Sequence, residues 1–107
     1  MSKGCKVTVD AGVCKMKTII TAIANPDTGM VDIDIQSDCP NLLKLSWNFK
    51  SVCPYTEVEG TMNETEVYKA ASGVIPHAAC PVPCGIMKAV EVAGGLGLKR
   101  DVTIKVE

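Results

Sequence analysis

The order of the sequence patterns predicts an α+β fold, with a small antiparallel sheet of about four strands and two to three helices packed on one face. Residues 6–10 and 30–37 alternate between apolar and polar side chains, and residues 17–24 are rich in β-branched side chains. Helical periodicity begins only after these strands, and the alternating run at 102–106 predicts a fourth strand. Short connections between the early strands favour antiparallel pairing, with the helices gathered on one face.

The second and third predicted strands form a hairpin. The sequence NPDTG between them has the residues of a tight turn. The alternation that follows predicts that Val31, Ile33 and Ile35 face the core, while Asp32 and Asp34 face water.

Three helices are predicted after the hairpin. The first begins at Asn41 and ends before Pro54, because the residue before a proline is disfavoured in a helix. Asn63 and Glu66 have the spacing of a capping box and open the second helix, which extends to about residue 71. The third helix covers residues 81–92 and ends at a pair of glycines.

The composition indicates a single domain over residues 1–107, with a core of aliphatic side chains, because 47% of the residues are hydrophobic and only 4% are aromatic. A formal net charge of −1 provides no basic surface for nucleic acid or an anionic membrane, so we expect neither partner. The N-terminal sequence lacks the pattern of a secretory signal, and we expect a cytoplasmic protein. In that compartment the six cysteines are expected to be thiols, metal ligands or redox groups rather than disulfides.

Two cysteines precede a proline at the predicted start of a helix: Cys39 before Pro40 and Cys80 before Pro81. Proline is favoured in the first helical position, which places each cysteine near the N-cap. Free backbone N–H groups and the helix dipole there favour a thiolate, the form that binds metals or attacks a substrate. The alternative is that each cysteine is a small buried hydrophobic residue. His77, three residues before Cys80, lies in a predicted loop from which it can reach a metal.

The sequence around the other four cysteines gives weaker evidence for a metal ligand or a reactive thiol. Cys14 follows a glycine-bearing turn between the first two strands, and Cys84 either shares the helix face of Cys80 or points into the core. Cys5 and Cys53 are interpreted as incidental thiols. The chain has no Cys-x-x-Cys motif, which excludes a zinc ribbon and a thioredoxin-type site.

These motifs, GVC at 12–14, DCPN at 38–41 and AACPV at 78–82, resemble the TSCPD domain in type and order. That domain occurs alone and at the end of vitamin-B12-dependent ribonucleotide reductases, and is regarded as a metal-binding module. The resemblance implies that Cys14, Cys39 and Cys80 correspond to family cysteines. A fourth family cysteine has no counterpart, and His77 is the nearest substitute. Ala-Ala replaces Thr-Ser and Val82 replaces Asp, so the implied ligand set differs from that of the family.

The chain also resembles a small family of cysteine-containing proteins from anaerobes and methanogenic archaea. It shares with them the segments AGVC, SDCP and IPHAACPVP and a terminal strand. No activity is attached to that family, so this second resemblance implies none.

Three functions are compatible with the sequence. The first is a non-catalytic accessory domain that binds zinc, or alternatively an iron–sulfur cluster, through Cys14, Cys39, His77 and Cys80, with Cys84 as a reserve ligand. The second is a thiol–disulfide redox protein in which Cys80 attacks and Cys84, Cys39 or Cys14 resolves. The third is an interaction module with merely buried cysteines. We expect a protein partner or a homo-oligomer, and acid/base catalysis is not favoured because no carboxylate pair is associated with His77.

Overall fold

The computed structural model describes residues 4–12, 15–48 and 50–107 and confirms the α+β class. The elements, in chain order, are β1 (Gly4–Asp10), β2 (Lys17–Ala24), β3 (Val31–Ser37), α1 (Pro40–Asn48), β4 (Ser51–Val52), α2 (Pro54–Glu59), α3 (Glu66–Val74) and α4 (Val82–Ala93). A short 3-10 turn, Met62–Glu64, precedes α3.

The four strands form one antiparallel sheet in the order β1-β2-β3-β4. The hairpin between β2 and β3 has the predicted turn: the Asn25 N–H donates to the Met30 carbonyl at 2.8 Å, and the Asn25 side chain accepts from the Asp27 N–H at 2.9 Å. Gly29 has a φ of +72°, a conformation that residues with a Cβ rarely adopt.

One face of the sheet is covered by helices, as predicted. Val31, Ile33 and Ile35 are buried, whereas Asp32 and Asp34 on the opposite face are exposed. α4 packs mainly on β1 and β2, and α1 packs on β3. The inward-facing strand residues and the buried residues of α1 and α4 belong to one apolar cluster. The sheet and its helices therefore share one apolar core among the described residues.

The prediction of a fourth strand at residues 102–106 is wrong. Those residues have no regular structure and are exposed, and the fourth position in the sheet is taken by Ser51–Val52. Val52 is 1% exposed opposite Val31, and the Ile33 N–H donates to the Lys50 carbonyl at 2.7 Å. β4 lies much closer to β3 in the sequence, so its pairing closes a shorter loop and costs less entropy.

The predicted helix boundaries need two corrections. The chain does not remain helical up to Pro54: α1 ends at Asn48, β4 follows, and Pro54 begins a further helix, α2, that the sequence analysis missed. The N-cap of α3 is Thr65 rather than Asn63, since the Thr65 hydroxyl accepts from the Tyr68 N–H at 3.2 Å. Thr65 is the N-cap because an N-cap side chain accepts a hydrogen bond from the N–H three residues later, and helical geometry begins only after the 3-10 turn.

A buried carboxylate completes the start of α3. Glu57, on α2, is 2% exposed, and its two carboxylate oxygens accept from the backbone N–H groups of Glu66 and Val67, each at 2.8 Å. Together with the Thr65 cap, it satisfies the first three N–H groups of the helix, which have no partner inside the helix. Among the described residues, no helix is long and apolar enough to cross a membrane.

Candidate functional site

The candidate residues are distributed between the two ends of the sheet. Asp10 pairs with Lys17, and Thr18 pairs with Ser37, so the connection between β1 and β2 and the C-terminus of β3 lie at one end, here called the β1–β2 end. At the opposite end, called the β2–β3 end, Val31 pairs with both Ala24 and Val52. α1 follows β3 after two residues and therefore starts at the β1–β2 end.

α4 starts at the same end as α1. A Cβ added at Gly85, in the first turn, would lie 2.6 Å from Val9 Cγ2 and 3.5 Å from Ile20 Cδ1, so the helix begins over the last part of β1. At the other terminus, a Cβ at Gly94 would lie 2.6 Å from the Cβ of Pro54, two residues after β4. α4 therefore runs from the β1–β2 end to the β2–β3 end.

Cys39 occupies the N-cap position of α1, as predicted. Its carbonyl accepts from the N–H groups of Leu42 and Leu43, each at 3.1 Å, and its own N–H donates to the Ser37 hydroxyl at 3.1 Å. The Ser37 hydroxyl also bonds the Thr18 hydroxyl at 2.7 Å, which ties the start of α1 to β2. The Cys39 side chain is half-buried and packs against the core.

α4 starts one residue later than predicted, which moves Cys80 off the N-cap. α4 begins at Val82 with Pro81 as its N-cap, so Cys80 lies one residue outside the cap. Its N–H instead closes a turn by donating to the His77 carbonyl at 3.2 Å. Pro81, with φ and ψ of −79° and −7°, accepts the first helical hydrogen bond from the Gly85 N–H at 3.1 Å, and Pro83 lies at an early helical position that tolerates a missing N–H. Like Cys39, Cys80 is half-buried against the core.

His77 and Cys84 are both exposed. Cys84 is exposed on α4, which excludes the core position that the sequence left open. Burial raises the pKa of the Tyr68 phenol, and the nearby Cys84 thiol raises that pKa further.

Cys14 lies outside the described residues, so the distances between its thiol and the other candidate ligands are not defined by the structure. Within the described part of the chain, no three or more His, Cys, Asp or Glu side chains form a group that could hold a metal ion. The four-ligand hypothesis includes Cys14 and therefore stays a prediction.

Sequence reasoning missed the local role of Cys53. It is the N-cap of α2, with Pro54 as the first helical residue, and thus repeats the arrangement of Cys39 and Pro40. The backbone N–H of Thr56 is the largest cause that lowers the pKa of the Cys53 thiol, followed by the Thr56 hydroxyl, although the sulfur makes no cap hydrogen bond of ordinary geometry. The Cys-Pro pair was the available signal.

The remaining cysteine, Cys5, is 8% exposed and belongs to the apolar core, which fits its interpretation as an incidental thiol. Cys53 follows β4 and lies at the β2–β3 end, away from the starts of α1 and α4. The cysteine-proline pairs therefore stand at both ends of the sheet.

The model of a protein family of unknown function, DUF6951, matches residues 5–106. The chain belongs to this family. The match covers almost the whole sequence, including every cysteine-proline pair and the C-terminal alternating run. Comparisons with curated proteins and with solved structures find no match. The TSCPD resemblance accordingly rests on the motifs alone.

Proposed function

We propose that this chain is a small cytoplasmic metal-binding module, without catalytic activity of its own, that holds zinc at the β1–β2 end. The ligands are Cys14, Cys39, His77 and Cys80, with Cys84 in reserve. The observation that carries the proposal is topological: α1 and α4 start at the same end of the sheet as the β1–β2 connection, which contains Cys14 in the sequence.

The chemistry of the donor set supports zinc. Cys39 and Cys80 come from different elements, are both half-buried, and both pack against the same core, so their thiols lie at the boundary between core and solvent. Zinc accepts a mixed set of thiolates and one imidazole with tetrahedral geometry. An iron–sulfur cluster prefers more thiolates, and Cys84 would then have to replace His77.

A metal at this end would join three parts of the chain that the core alone holds separately: the β1–β2 connection, the start of α1 and the turn from His77 to Cys80. An ion that binds only the folded protein stabilises it by mass action. The contribution is large in small domains, with apparent values of ~10–16 kcal/mol for structural zinc in peptides.

The test compares two serine variants of the full chain, Cys39→Ser and Cys53→Ser. Both cysteines cap a helix that starts with proline, but they stand at opposite ends of the sheet. We expect about one zinc per chain, without visible colour, in the anaerobically purified wild-type protein and in Cys53→Ser. Cys39→Ser should lose most of the zinc, and its melting temperature should no longer respond to a chelator. Equal zinc content in both variants would contradict the proposal, and a brown protein would indicate an iron–sulfur cluster.

The exposure of Cys84, four residues after the half-buried Cys80, favours a second candidate function, thiol–disulfide exchange. In that reaction the Cys80 thiolate attacks a partner disulfide and releases one partner thiolate. The Cys84 thiolate then displaces the second, which leaves an internal disulfide and two partner thiols. Redox chemistry would be favoured if metal-free protein, first oxidised to the Cys80–Cys84 disulfide by a disulfide reagent, is reduced by glutathione, and if Cys84→Ser forms no such internal disulfide. Protein with neither metal nor exchange activity would favour the interaction module, in which Cys5, Cys39 and Cys80 pack against the core while Cys84 is exposed.

A further inference from the structure

The outer edge of β3 is open over half of its length. β4 pairs only with Val31 and Asp32, and a single further bond joins the Ile33 N–H to the Lys50 carbonyl. Backbone groups of alternate residues point to the same side of a strand, so the N–H and carbonyl groups of Ile35 and Ser37 also point to this edge. Within the described residues, neither has a backbone partner there. Such an edge is a template for another strand.

A shallow groove runs beside this open edge. It is lined by residues 32–35 of β3 and by Ser46, Trp47 and Lys50. The indole of Trp47, the largest side chain of the protein, is 73% exposed. A large exposed apolar side chain beside unpaired strand groups is typical of a surface that accepts an added strand.

The C-terminal segment, residues 102–106, has the sequence of a strand but does not form one. Its sequence VTIKV has the alternation and the β-branched residues of a strand, but it has no regular structure. Its apolar side chains are exposed: Val102 at 56%, Ile104 at 74% and Val106 at 95%. The described residues thus include a strand-forming segment that joins no sheet and a sheet edge that is partly unpaired.

We propose that the C-terminal segment of a second copy of the chain adds to the open edge of β3, so that two chains exchange these segments. When one of the apolar residues of the added segment pairs with Ile35, Val102, Ile104 and Val106 all lie on the core side of the sheet, against Trp47. Lys105 then lies on the solvent side of the sheet, where Asp32 and Asp34 of β3 are exposed. The charges are complementary across the new strand pair.

The second copy is a better occupant than the protein's own C-terminus. α4 ends at the β2–β3 end, so the following segment would have to pass β4 and then run parallel to β3 to reach Ile35. A segment from another chain can enter in the antiparallel direction, which gives the better hydrogen-bond geometry. Reciprocal exchange also produces a closed two-fold dimer, the commonest form of oligomer.

The experiment uses Trp47, the only tryptophan, as a probe of the groove. In the full-length wild-type protein, light scattering during gel filtration should give the mass of two chains at high concentration. Trp47 emission should shift to shorter wavelength as the concentration rises, because the added strand covers the indole. Ile104→Lys should give the mass of one chain and solvent-like emission at every concentration. Ile104 is largely exposed in the single chain, so its replacement leaves the fold intact.

Thr103→Lys is the matched control. It adds the same charge on the opposite face of the segment, towards Asp34, and should retain the dimer. A wild-type protein with the mass of one chain at all concentrations would overturn the proposal. If the Trp47 emission of such a monomer is already blue-shifted, the protein's own C-terminal segment fills the groove, and the proposal is equally overturned. A dimer that persists in Ile104→Lys would equally overturn it. Cys39→Ser should dimerise normally, so this inference and the metal proposal can fail independently.

Discussion

Replacement of Glu57 by alanine tests the only buried carboxylate among the described residues. The substitution removes the acceptor of two 2.8 Å hydrogen bonds to the N–H groups of Glu66 and Val67. Water can replace the carboxylate at the Glu66 N–H, which is only partly buried, but the Val67 N–H is buried and would be left without a partner. A hydrogen bond to a charged group contributes about 1.5–3 kcal/mol, and an unpaired buried donor costs about 1–3 kcal/mol.

The carboxylate itself loses solvation when it is buried, so its removal recovers part of that cost. We therefore expect Glu57→Ala to lower the free energy of unfolding by about 2–3 kcal/mol. Glu57→Gln keeps one oxygen acceptor and should lose roughly half as much. The assay is urea unfolding followed by circular dichroism, and Glu59→Ala, at an exposed position of the same helix, is the control, expected within about 0.5 kcal/mol of wild type. If Glu57→Ala were as stable as Glu59→Ala, the carboxylate would not hold the start of α3.

Two further predictions concern α4 and Cys53. Gly85→Ala places a methyl group 2.6 Å from the β-branched side chain of Val9 and should lower the free energy of unfolding by about 1–2 kcal/mol. Gly73→Ala, in open space on α3, should raise it by about 0.5–1 kcal/mol. Equal effects of the two substitutions in urea unfolding would mean that α4 does not approach β1 this closely. The lowered pKa of Cys53 means that more thiolate is present near neutral pH, so its alkylation rate, followed by peptide mass spectrometry, should reach half-maximum at lower pH in folded than in urea-unfolded protein. Thr56→Val should move that midpoint upwards, and coincident midpoints in folded and unfolded protein would refute the assignment.

The three long strands were predictable because each has seven or eight residues with a clear period or a β-branched run, enough to distinguish a strand from a helix. β4 has two residues and α2 has six, which is too short for a periodic signal. Their existence depends on tertiary contacts: Val52 fills a place in the core beside Val31, and Glu57 is held by α3. The run at 102–106 shows the converse case, in which a strand pattern has no strand partner in the part of the chain that the structure describes.

The position of Cys39 followed from local rules, since a cysteine before a proline at the start of a helix is an N-cap whether or not the site has a function. The same rule applied to Cys53, whose helix was not anticipated, and missed by one residue at Cys80, because Pro81 itself is the N-cap of α4. Local sequence can thus identify candidate thiols. It cannot say at which end of the sheet they lie, because that depends on the path of the chain between elements.

Gly85 determines that path for α4. Its lack of a side chain lets the first turn of the helix lie directly on Val9, one residue before β1 ends, and this contact brings the turn that carries Cys80 to the β1–β2 end. A larger residue at position 85 would push that turn away from β1, while the contacts of Ile86 and Val90 with the rest of the core would resist the shift. Whether the metal proposal is correct thus depends on packing at a glycine that bears no ligand, as much as on the cysteines themselves.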